Sequence, residues 1–72
     1  MKPAAINYII NVCKTEKCGA NISIKEGNGP YVDFSDESTE FEINEELGLL
    51  IVNTDMFGTY FIDAESITSI HI

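Results

Sequence analysis

The chain has 72 residues, with twelve acids, four lysines, no arginine and a net charge of −8. That length makes one domain, residues 1–72, whose core contributes roughly 3–5 kcal/mol at most. Duplex DNA and structured RNA need basic side chains to neutralise phosphates, so the charge argues against direct nucleic-acid binding, and no apolar run approaches the ~20 residues of a membrane span.

Residues 3–17, PAAINYIINVCKTEK, are predicted to form a helix. Pro3 suits the first helical position, where a missing N–H costs nothing. Ile6, Ile9, Ile10 and Cys13 recur at helical spacing on one face, opposite Asn7, Asn11 and Lys14. Lys14 and Lys17 complement the negative end of the helix dipole, and Gly19 is the expected left-handed stop.

From residue 20 the apolar period becomes two. NISIKE alternates Ile22 and Ile24 with Ser23 and Lys25, and GNGP at 27–30 reads as a turn. YVDFS and TEFEINE follow as strands, with Val32, Phe34, Phe41 and Ile43 inward. Leu47-Gly48 makes a corner. LLIVN at 49–53 is apolar on both faces and reads as a central or otherwise covered strand. TDMFG is a turn, and TYFI, DAES and ITSIHI close the chain as strand, turn and strand. The expected class is α+β, mainly β. An N-terminal helix precedes five or six short antiparallel strands in a small barrel of SH3-like or Sm-like type.

The ending YFIDAESITSI, residues 60–70, resembles the last two strands and connecting turn of the bacterial Sm-like RNA chaperones. The resemblance implies the barrel and a tendency to form rings. It does not extend to RNA binding: the family's Lys-His pair before the turn is replaced by Ile62 and Asp63. Separately, the small core and the two-sided apolar strand Leu49, Leu50, Ile51 and Val52 predict self-association into a homo-oligomer.

Charge is unevenly placed. Residues 1–25 carry all four lysines and one acid, Glu16; residues 26–72 carry the other eleven acids. Seven of these fall in DFSDESTEFEINEE, residues 33–46. A calcium loop starting at Asp33 needs Gly and Glu where Ser38 and Asn44 stand, and one starting at Asp36 meets Phe41 and Leu47. Two readings remain for the stretch. It is a solvated sheet face that discourages edge pairing, or a surface for a basic protein partner formed by Asp36, Glu37, Glu40, Glu42, Glu45 and Glu46. Met56 and Phe57 at a turn tip either pack back on the sheet or join that contact.

No cofactor, metal site or catalytic group is expected. Cys13 and Cys18 lack a full zinc ligand set, with His71 the single histidine. Cys13 reads as a core residue, with a Cys13–Cys18 disulfide or a redox role as alternatives. His71 alternates with Ile70 and Ile72 and is expected at solvent or an oligomer seam. With no apolar run after a basic start, the chain is expected to be cytoplasmic. Three functions are carried forward. The first is a non-enzymatic inhibitor or adaptor that occludes a basic nucleic-acid-binding surface, resembling phage anti-CRISPR proteins in size and charge. The second is a homo-oligomeric Sm-like ring holding a small nucleotide. The third is a small subunit of a larger host complex.

Overall fold

The computed structural model, which describes residues 1–72, places one helix before six strands. Helix α1 is Pro3–Glu16. The strands are β1 Gly19–Ile24, β2 Gly27–Asp33, β3 Glu40–Asn44, β4 Leu49–Thr54, β5 Gly58–Asp63 and β6 Ile67–His71, with a 3-10 turn at Ala64–Ser66. Every strand pair is antiparallel, so the class is α+β and mainly β, as the periodicity predicts.

The strands do not close into a barrel. They form two three-stranded sheets, ordered β2-β1-β6 and β3-β4-β5. The chain between β2 and β3 explains the break. Phe34 turns into the core at 3% exposure, and the Asp36 carboxylate then accepts from the Ser38 amide at 3.0 Å to form a side-chain-closed turn. That segment supplies no ladder between the sheets. On the other side, Asp63 caps the 3-10 turn by accepting from the Glu65 amide, which separates β5 from β6.

Ile6, Ile10 and Cys13 of α1 are fully buried, while Ile9 is half-buried. The helix lies against β3 and β1. Its left-handed stop is Lys17, φ 56, rather than Gly19. Gly19 instead opens β1 with ordinary backbone, and a Cβ there would meet the ring of Tyr31. Glycine at this position serves close approach, not chain reversal.

GNGP is also not a turn. The β1–β2 reversal falls at Lys25-Glu26, and residues 27–30 belong to β2. The β1–β2 register shifts between Asn21 and Ser23, and a Cβ at Gly29 would lie 2.6 Å from the Ile22 carbonyl oxygen. The glycine thus accommodates an irregular ladder with backbone pressed against it. Pro30 is tolerated because β2 is an edge strand. Gly29→Ala is expected to cost about 1–3 kcal/mol, the usual range for overpacking. A thermal melt unchanged from wild type would show that the ladder relaxes freely around the new methyl.

β4 is central in the second sheet, as its apolar run predicts. Phe41, Val52 and Tyr60 form one inward row, and Ile43, Leu50 and Ile62 the next. Glu42, Ile51 and Phe61 form an outward row. The core joins α1 to Ala20 and Ile22 of β1, Val32, Phe34, Leu50, Val52, Ala64 and Ile67. Phe34 and Phe41 meet edge to face, with ring centroids 6.0 Å apart. The Met1 ammonium donates to the carbonyls of Ala64 and Ile67, each at 2.9 Å, and so ties the start of the helix to the β5–β6 corner. No helix is long and apolar enough to cross a membrane.

Candidate functional site

The acidic stretch spans three structural contexts. Asp36 and Glu37 lie in the β2–β3 connection, Glu40 and Glu42 on β3, and Glu45 and Glu46 in the β3–β4 turn; all six are exposed. Glu40 and Glu42 flank the half-buried Phe41, as strand alternation requires. All twelve carboxylate residues of the chain are exposed.

The lysine-rich helix end folds back onto this stretch. Lys14 pairs with Glu40 and also donates to the Thr39 carbonyl at 3.5 Å. Lys17 lies 3.7 Å from Glu37, with both side chains largely in solvent. Exposed pairs of this kind are worth about 0–1 kcal/mol each, but they offset two of the six charges. Glu45 borders a shallow depression with Pro3, Ala4 and Asn7, at the positive end of the helix dipole. Asp36, Glu42 and Glu46 have no cationic partner within the chain.

Asp36 has other neighbours. It borders a groove of about 350 Å³ between edge strand β2 and the β4–β5 turn, together with Tyr31, Asp33, Met56, Phe57 and Tyr60. The Thr54 hydroxyl accepts from the Phe57 amide at 3.0 Å and donates to the Gly58 carbonyl at 2.7 Å. These bonds fix a turn whose tip holds Met56 and Phe57 outward, at 81% and 73% exposure, instead of packed on the sheet. Tyr31 comes from β2 and Tyr60 from the inward face of β5. The groove therefore occupies the gap left by the unclosed sheets.

Both aspartates are held by local hydrogen bonds. The amide and hydroxyl of Ser35 donate to Oδ1 of Asp33 at 2.9 and 2.6 Å. The amide and hydroxyl of Ser38 donate to Oδ1 of Asp36 at 3.0 and 2.7 Å. These donors, the serine hydroxyl first, hold each carboxyl below its usual range. Both groups stay ionised near neutrality, and Oδ2 of each makes no bond within the chain.

The sequence separates Asp36 from Met56 and Phe57, marks Asp33 only as one of the seven acids of residues 33–46, and does not single out Tyr31 or Tyr60. No local pattern joins residues 31 and 60; only sheet geometry does. The YVDFS alternation points Tyr31 outward, which is the one signal that could have marked it.

The remaining polar chemistry is sparse. Cys13 and Cys18 are free thiols with sulfurs 3.3 Å apart. The helix ends between them, which brings an i, i+5 pair together. Cys13 donates to the Cys18 carbonyl at 2.9 Å, and burial, then the neighbouring Cys18 thiol, pushes its pKa up to about 12. It is a poor nucleophile and packs in the core. His71 is exposed at the end of β6. No three His, Cys, Asp or Glu side chains converge where a metal ion could sit. No family model matches the chain, and neither a curated protein nor a solved structure matches it, so its function is read from its own geometry.

Proposed function

We propose that this chain is a non-enzymatic protein-binding module that docks on a basic surface of a partner protein in the cytoplasm. One observation carries the reading: all twelve acids are exposed, and lysines reach only two of them. Ordinary small domains intersperse both signs on their surface. A surface dominated by one sign repels itself, and its compensating effect is to steer and orient an oppositely charged partner. The partner surface that best complements it is a groove built to hold nucleic acid. Occupying such a groove would make the protein an inhibitor, of the kind phages use against host defence.

A second reading has one observation in its favour. Ile51 and Phe61 are neighbours on the outward face of the second sheet, with Phe61 66% exposed. That pair suits self-association into a ring, with a nucleotide at the seam. Phosphate contacts would fall to Lys2 and Lys25, because Lys14 and Lys17 already meet acids. One experiment addresses both readings: capture from host lysate at low and high salt, with native mass measured on the captured bait. A basic partner that salt releases is expected. Recovery of neutral or acidic partners alone, or of a homo-oligomer carrying a ligand that absorbs near 260 nm, would overturn the first reading.

A further inference from the structure

The groove between β2 and the β4–β5 turn differs chemically from the rest of the acidic face. Tyr31, Met56, Phe57 and Tyr60 give it apolar walls, and Asp33 and Asp36 add two carboxylates. Its volume of about 350 Å³ lies at the small end of the ~300–1,000 Å³ typical of ligand sites. Tyr31, Met56 and Phe57 are each more than half exposed, and they gather here from two different sheets. A merely solvated edge gives no reason for that gathering. No lysine lines the groove; Lys14 and Lys17 share a separate depression with Asp36, where they pair with Glu40 and Glu37 and not with Asp36.

We infer that this groove receives an arginine side chain of the basic partner, its guanidinium plane on the tyrosine rings and its N–H groups on the free oxygens of Asp33 and Asp36. The inference rests on the protein-docking reading above and names the contact within it. An apolar side chain would desolvate two carboxylates without replacing their hydrogen bonds. A phosphate would be repelled by both. Between the two basic side chains, lysine presents a compact, strongly hydrated ammonium. Arginine is planar, more weakly hydrated, stacks on aromatic faces and forks onto carboxylates. The groove offers both kinds of surface together. The serine hydrogen bonds hold the carboxylates in place before binding, which reduces the ordering cost.

The test uses the full chain, labelled with ¹⁵N, and three capped tripeptides: Gly-Arg-Gly, its lysine counterpart and its uncharged citrulline counterpart. The arginine peptide should produce saturable amide shifts at Tyr31, Asp33, Asp36, Phe57 and Tyr60. The citrulline peptide should not, and the lysine peptide should bind at least about threefold more weakly. Tyr31→Ala removes an exposed ring and keeps the net charge at −8; it should weaken arginine binding about tenfold. Gly19→Ala should cause a similar loss while keeping every groove side chain, because its methyl displaces the Tyr31 ring. The amide spectrum of each variant reports that it is folded. Equal shifts with citrulline would overturn the inference, as would shifts confined to Glu42, Glu45 and Glu46. The second result removes the groove but leaves the acidic-face reading standing; no shift with either cationic peptide also removes the groove, and the salt-dependent capture then decides the acidic-face reading.

Discussion

Ile10→Ala is expected to leave the protein largely unfolded at room temperature. Ile10 is fully buried at the centre of the helix face that meets both sheets. Truncating a buried isoleucine costs about 2–5 kcal/mol, from lost burial plus the cavity left behind. A core in this size class supplies only about 3–5 kcal/mol in total, so the loss approaches the whole stability. Chemical denaturation should show a midpoint shifted strongly downward, or no folded baseline at all. Ile9→Ala gives the internal control. Ile9 is half-buried, so less apolar area is lost and the midpoint should move less. Equal shifts for the two variants would show that the helix face is not organised as the structure places it.

The second large effect concerns binding. Glu42→Lys combined with Glu46→Lys should leave the fold nearly unchanged, since exposed substitutions usually stay within about 0.5 kcal/mol. Both side chains are exposed and neither has a lysine partner. Glu40 is less suitable for reversal, because a lysine there would break its pair with Lys14 and face that ammonium directly. Association with the captured basic partner should slow by roughly 10-fold or more, the scale on which electrostatic steering acts. The salt dependence of the remaining binding should become shallower, because fewer charge pairs are left to screen. Stopped-flow or surface-based kinetics across a salt series would measure both. An unchanged association rate with an unchanged salt slope would reduce the acids to a solvated edge.

These two variants test features with different visibility in the sequence. The Ile6, Ile10 and Cys13 face follows directly from helical spacing, and each of those residues is fully buried. The Glu40 and Glu42 positions follow from strand alternation around Phe41 and Ile43, and both are exposed. Glycine was the less reliable guide. GNGP reads as a turn from composition, yet its glycines lie within β2, and Gly29 accommodates the carbonyl of Ile22. Turn propensity shows that a residue can reverse the chain, not that it does so. Gly19 misled in the same way, since its lack of a side chain makes room for Tyr31 and not for a helix stop.

By itself, the sequence determined element order, the inward residues and the exposure of the acids. Each of these is a local property: a period of 3.6 or 2 assigns a side chain to a face whatever the fold around it. Three things were decided only by the tertiary structure. Lys14 and Lys17 come to rest on Glu40 and Glu37, so an asymmetry that is stark along the chain is partly neutralised in space. The turns at Asp36–Thr39 and Ala64–Ser66 leave two sheets in place of a closed barrel. That opening gathers Tyr31, Asp33 and Asp36 with Met56, Phe57 and Tyr60. Contacts between residues so far apart in sequence depend on how strands are ordered and where the ladders stop, and no periodicity within a single strand encodes either.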